Sequence, residues 1–236
     1  MQANESPFPP YWWGTNLEVA GLESERPDLG TYGRYAFDLL PALPFALRGT
    51  FDWLAQAEPY VHHIGAEIST EHAETLAEVA QASAALQLRL PATFLTFMSS
   101  PQLHERIRSN TDCFIDLSPA PIPSPLGGGY LVRFLSDSQQ VLSWYLYLTK
   151  DGADHAVVAS PDFYGTEDER LLDEDEPAPD PEAIVFCAES FEAFMCRYWL
   201  ENEIWFTAYE NKPMMEAGVR YIEEYRRKGE AADGDE

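Results

Sequence analysis

The stretch that decides the fold is residues 130–160, YLVRFLSDSQQVLSWYLYLTKDGADHAVVAS. Aromatic and branched side chains dominate its segments 130–135, 141–148 and 155–160, a composition typical of β-strands. The polar connection SDSQQ has the length of a hairpin loop, and the Asp-Gly pair at 151–152 favours a tight hairpin turn. The stretch therefore predicts an antiparallel meander.

Apolar segments on either side extend this prediction. Runs at 113–117 and 183–187 have strand length, whereas 70–90, 91–99 and 190–209 place apolar residues at helical spacing. We therefore predict an α+β fold in which a central antiparallel sheet is packed by these helices. The side chains expected in its core are Phe94, Phe97, Trp144, Leu146, Phe191, Phe194 and Trp199.

Composition divides the chain into three parts. Residues 1–66 form an N-terminal arm and extension, 67–228 the α+β domain, and 229–236 an acidic tail. The first residues are polar and rich in proline, which predicts a mobile arm. The three adjacent aromatic residues at 11–13 are expected to anchor it, because exposed indole rings are costly.

The charge balance limits the classes of partner. The chain contains fifteen Lys and Arg residues and forty Asp and Glu residues, which gives a formal net charge of −25. Binding to nucleic acid or to an anionic membrane depends on clustered basic residues, so we expect neither. The charge is consistent with solubility alone or with attraction to a basic protein partner.

Several features predict a cytoplasmic location. The sequence contains no apolar run of membrane-spanning length, and its first basic residue, Arg26, comes too late for a signal peptide. The three cysteines, Cys113, Cys187 and Cys196, are odd in number, so we expect reduced thiols and no disulfide.

The acids are densest in residues 167–182, which contain nine of the forty together with three prolines. Mutual repulsion predicts a mobile loop that presents charge, either to a basic partner or only to solvent. Its candidate partner-binding residues are Glu167, Asp168, Glu169, Asp173, Glu174, Asp175 and Glu176.

Motifs for catalysis, cofactors and metals are missing from the sequence. The glycines at 127–129 precede a strand rather than a helix, which disfavours a phosphate loop. The five histidines show no metal-ligand spacing, and we assign no catalytic, cofactor-binding or metal-binding residue. Near the chain's end, Trp199 and Trp205 flank the polar residues 201–203, so this helix either packs on the sheet with its polar side exposed or carries a binding hot spot.

Two motifs carry a family resemblance. Residues 90–97, LPATFLTF, resemble the helix start of the SUKH superfamily, bacterial immunity-type proteins related to a yeast cell-wall synthesis regulator. Residues 188–194, AESFEAF, look like that family's terminal helix, and the order of predicted elements over 67–210 is similar too. The resemblance implies a SUKH-like α+β fold and a non-enzymatic protein that binds and blocks a toxin.

The acidic composition also favours a toxin-blocking protein. Toxin nucleases bind phosphates and tend to be basic, so an acidic inhibitor is their electrostatic complement. The favoured hypothesis is thus a cytoplasmic immunity-type protein. The alternatives are a regulatory scaffold without a toxin partner and an enzyme that uses carboxylates or His63 in a cleft. The oligomeric state stays open.

Overall fold

The computed structural model describes residues 1–22, 32–166 and 179–233. The strands among them are β1 (Tyr11–Thr15), β2 (Tyr32–Ala36), β3 (Phe114–Ile115), β4 (Ile122–Pro123), β5 (Gly129–Ser136), β6 (Ser143–Thr149), β7 (His155–Ser160) and β8 (Val185–Ala188). The helices are α1 (His72–Ala85), α2 (Ala92–Met98), α3 (Pro101–His104), α4 (Phe191–Tyr209) and α5 (Glu216–Asp233). Short 3-10 turns lie at Ala3–Glu5, Glu18–Ala20, Phe37–Leu39, Asp52–Leu54 and Pro181–Ala183.

The main sheet has the order β3-β5-β6-β7-β8, and β4 also pairs with β5. Every pairing in it is antiparallel, including the meander from β5 to β7. This confirms the predicted α+β fold with an antiparallel sheet. The predicted strand 155–160 coincides with β7, while β6 begins at Ser143 because Leu142 still belongs to the turn, accepting a hydrogen bond from the Asp137 amide.

Alternation along the strands buries both faces of the sheet. Trp144 and Leu146 point to the helices and join the main core with Phe94, Phe194 and Trp199. All seven side chains predicted for the core are buried there. Tyr145 and Tyr147 point to the opposite face, where a smaller cluster contains Phe8, Phe186 and Tyr164.

The N-terminal arm forms part of this second cluster. The Phe8 ring packs edge-on against Tyr147 at 5.1 Å, and the ammonium group of Met1 bonds Asp154 at 2.6 Å. The expectation of a mobile arm is therefore wrong, because Phe8 covers apolar sheet surface that would otherwise face water. In the adjoining triplet, Trp12 and Trp13 are buried as predicted.

Strands β1 and β2 form an antiparallel hairpin beside β8. A parallel bridge joins Pro10 to Phe186, and the Phe186 amide bonds the Pro9 carbonyl at 2.8 Å. Trp12 and Tyr35 on one side of the hairpin lie in the main core. The described part of the extension thus shares its core with the helices and the sheet.

Two helix ends differ from the predictions. Helix α1 ends at Ala85 instead of residue 90, because Gln87 adopts a left-handed conformation with φ of 61° and the Leu88 amide bonds back to the Ser83 carbonyl. Helix α5 continues through Asp233, past Gly229, where we placed the start of the tail. Within the described ranges, no helix is long and apolar enough to span a membrane.

Candidate functional site

The acidic residues proposed for partner binding lie outside the described residues. This applies to Glu167, Asp168, Glu169, Asp173, Glu174, Asp175 and Glu176 alike. Their role stays a prediction from sequence.

Helix α4 is the element around which the N-terminal half is arranged. Its N-terminus is capped by Ser190, whose hydroxyl accepts the Ala193 amide at 3.2 Å. The polar residues in its second half were expected on an exposed or capping side, but Glu201 and Glu203 are only 2% and 7% exposed. That expectation is wrong, because segments from distant parts of the chain cover this side of the helix.

Glu201 lies in a buried hydrogen-bond network. Its carboxylate accepts the Trp12 indole N–H at 2.7 Å and the Tyr221 hydroxyl at 2.6 Å, and Tyr221 in turn accepts from Arg197 at 2.7 Å. A side chain at Gly14 would collide with both the Trp12 indole and the Glu201 carboxylate, so a glycine is needed there. The network joins α4 to β1 and to α5.

The environment of Glu201 perturbs its titration. Complete burial raises the pKa of its carboxyl from 4.5 to about 7, although Arg197 and the hydrogen bonds from Tyr221 and Trp12 favour the ionised form. A perturbed carboxyl can mark a catalytic group. Here both oxygens are occupied by Trp12 and Tyr221, so the arrangement serves to join elements.

Glu192 has a similar structural task at the other end of α4. Its carboxylate accepts the Gly49 and Phe51 amides at 2.6 and 3.3 Å and the Trp53 indole at 3.3 Å. These bonds replace water around a buried charge and hold the 49–53 turn against the helix. In the second half of the helix, the side-chain oxygen of Asn202 accepts a hydrogen bond from the Asn110 amide at 2.8 Å.

Glu203 holds a cation at the surface end of α4. Arg108 donates two hydrogen bonds to its carboxylate, both at 3.0 Å, and the Tyr60 hydroxyl bonds both carboxylate oxygens at the same distance. The Arg108 guanidinium lies between the rings of Tyr60 and Phe206, at 4.5 and 4.0 Å from their centroids. Burial and Glu203 raise the pKa of Tyr60 to about 12, so its hydroxyl stays protonated.

This arrangement continues into an aromatic surface, which we define as Tyr60, Arg108, Trp205, Phe206 and Tyr209. Trp205 packs edge-on against Phe206 at 5.1 Å and stacks on Tyr209 at 4.9 Å with an interplanar angle of 10°. Tyr209 is 66% exposed, and Val61, next to Tyr60, is 85% exposed.

Only part of this surface is recognisable in the sequence. Of the two tryptophans considered for a hot spot, Trp205 belongs to the surface, but Trp199 packs in the core against Trp53 at 5.4 Å. Tyr60 and Arg108 were missed, because they lie far from α4 in sequence and no motif marks them.

Two of the five histidines, His72 and His104, approach backbone carbonyl groups. Burial lowers the pKa of His104 to about 4, and its Nε2 is 2.7 Å from the Phe97 carbonyl. His72 approaches the Met98 carbonyl at 2.8 Å. Over the described ranges, no group of three metal-ligating side chains comes together.

The three cysteines are buried free thiols. Burial raises the pKa of Cys187 and of Cys196 to about 12 and raises the pKa of Cys113 as well. Because the thiolate is the reactive form, these groups are chemically quiet in the folded protein.

The glycines before β5 serve as a turn. Gly127 and Gly128 have φ of 74° and 78°, and Gly129 begins the strand. A helix N-terminus does not follow them, so they lack the geometry of a phosphate loop, in line with the sequence analysis.

Comparison of the chain with protein-family models, with curated proteins and with solved structures gives no match.

Proposed function

We propose that this chain is a non-enzymatic protein-binding module of the SUKH type, an immunity-type protein that neutralises a basic toxin, such as a nuclease, in the cytoplasm. The observation that carries the binding role is the exposed Tyr209 ring, stacked on the half-buried Trp205 of the aromatic surface. Tryptophan, tyrosine and arginine are the residues most often found at interface hot spots.

Contacts within the protein hold the base of the aromatic surface in one arrangement. The bidentate bond to Glu203 holds Arg108, and Arg108 in turn packs on Phe206, the neighbour of Trp205. A surface whose rotamers are already ordered loses less conformational entropy on binding, which favours affinity.

Charge favours a basic partner. With a net charge of −25, the protein attracts cationic surfaces over the Debye length and repels acidic ones. Tyr209 and Trp205 would then provide the short-range contacts, while the surrounding acids raise the rate of encounter.

The first experiment uses the tagged chain to isolate its partner from the native cells. We expect a basic protein, and we expect Tyr209→Ser to weaken the purified complex by about tenfold or more. Leu126→Ser is the matched control, since Leu126 is a 39% exposed apolar residue in the loop before β5. Equal binding by wild type and Tyr209→Ser would exclude the aromatic surface as the site.

A second experiment separates an immunity protein from a scaffold. If the captured protein is a toxin enzyme, adding one equivalent of the chain should abolish its activity, and Tyr209→Ser should restore it. A complex that forms without loss of the partner's activity would support the scaffold hypothesis instead.

A further inference from the structure

A surface cleft of about 350 Å³ lies between the β1–β2 hairpin and the segment that leads into β8. Trp13 and Arg34 line it from the hairpin, and Asp180, Glu182 and Val185 line it from the other side. The volume is within the range of small-molecule sites, which combine apolar walls with a few polar groups. The cleft shares no residue with the aromatic surface.

Arg34 is held in the cleft by stacking. Its guanidinium lies 3.7 Å from the Tyr11 ring centroid and 5.9 Å from that of Trp13. Trp13 is its register partner across the hairpin, so the strand pairing itself fixes this position. Stacking on a ring face leaves the N–H groups at the guanidinium edge to bind an anion in the plane.

The Arg34 Nε is an unpaired donor. The atom is buried, and it has no hydrogen-bond partner within the described part of the chain. A buried N–H without a partner is costly, so Arg34 is a cation whose hydrogen-bonding capacity is not used up by the protein. Because a ligand oxygen cannot reach the buried Nε, we assign the ligand's carboxylate to the two terminal NH2 groups, whose parallel N–H bonds suit the bidentate mode.

The acids of the cleft restrict which anion fits. A phosphate or dicarboxylate would be repelled by Asp180, by Glu182 and by the overall charge of −25. A ligand that carries one carboxylate and at least one ammonium group avoids this repulsion, because its cation can face the acids while its anion pairs with Arg34.

From these contacts we propose that the cleft binds a small zwitterion of the amino-acid class, with the carboxylate on Arg34, the ammonium group facing Asp180 and Glu182, and the aliphatic part against Trp13 and Val185. The site is independent of the proposed toxin-binding function, since the two use different elements of the fold.

The test is an NMR titration of the full chain with L-lysine, following the N–H signals of the Arg34 side chain and the Trp13 indole. We expect saturable shifts at both groups. L-lysinamide lacks the carboxylate and hexanoate lacks both ammonium groups of L-lysine, and each should bind at least tenfold more weakly. Lysinamide carries more positive charge than lysine, so equal or tighter binding of lysinamide would mean unspecific attraction and would overturn the proposal.

Variants test the two ends of the site separately. Arg34→Gln should weaken L-lysine binding at least tenfold, whereas Arg89→Gln, which changes an exposed arginine outside the cleft, should leave it unchanged. Asp180→Asn combined with Glu182→Gln should weaken L-lysine but strengthen hexanoate. These opposite changes in the affinities for L-lysine and hexanoate test the assigned orientation even if the Arg34→Gln variant does not fold. Wild-type affinities for both ligands in the double variant would refute the assigned orientation.

Discussion

At the scale of single residues, Glu201 is the group whose environment has the clearest measurable consequence. An acid whose pKa is raised by folding stabilises the protein at low pH, and this contribution is lost as pH rises from 4.5 through about 7. We expect the unfolding free energy of wild type, minus that of Glu201→Gln, to fall by about 3 kcal/mol over this interval. Denaturant unfolding at several pH values measures the difference.

The wild-type protein must be compared with a variant because His104 changes the unfolding free energy with pH in the opposite direction to Glu201. Its lowered pKa means that the protein gains stability as pH rises from about 4 to 6.5, in wild type and variant alike. Glu189→Gln, at an exposed position just before α4, is the control and should leave the pH profile unchanged. A pH-independent difference between wild type and Glu201→Gln would contradict the assigned burial.

The cysteines give a second prediction at this scale. Cys113 lies 3.2 Å from both the Tyr32 hydroxyl and the Thr111 hydroxyl in a buried cluster, and Cys187 and Cys196 are fully buried. A thiol reagent should therefore react slowly with the native protein and titrate all three thiols in denaturant. Fewer than three titratable thiols in denaturant without reductant would reveal a disulfide.

At the scale of elements, helix α4 contributes many of the side chains in the main hydrophobic core. Phe194 packs within 6.1 Å, centroid to centroid, of Trp12, Phe134, Trp144 and Tyr198. Phe194→Ala should reduce the unfolding free energy by about 3–5 kcal/mol, because the cavity left among four rings cannot collapse easily. Tyr209→Ala on the exposed end of the same helix is the control, with an expected loss of about 1 kcal/mol or less. Similar losses for the two variants would contradict the tight packing of Phe194 among these four rings.

At the scale of the whole molecule, charge governs encounter with a partner. Replacing Asp173, Glu174, Asp175 and Glu176 with Ser or Asn should slow association with a basic partner and flatten its salt dependence, while dissociation changes less. Removing four exposed acids near α1, Glu67, Glu71, Glu74 and Glu78, gives a control of equal charge. For the loop variant and the control variant, stopped-flow experiments at several ionic strengths measure the association rate. Identical salt slopes for wild type and the loop variant would leave the loop as a solvated spacer.

Trp199 and Trp205 show which part of the candidate site can be predicted from the sequence and which part cannot. Trp205 stands out in the sequence as an aromatic residue beside polar ones, and it is a half-buried member of the aromatic surface. Trp199 has the same local surroundings, yet Phe45 and Trp53 cover it. Both of those rings come from the N-terminal extension, whose packing no local pattern indicates.

The sequence by itself determined the meander, the core face of α4, and the α+β class. These follow from alternation, helical spacing and turn residues, which act over a few neighbouring positions. Only the tertiary structure decided that Glu201 and Glu203 are buried, that Arg108 lies between two rings, and that the N-terminal arm covers the sheet. Each of these depends on contacts between groups far apart in the chain, as with Trp12 and Glu201, and local periodicity contains no information about such pairs.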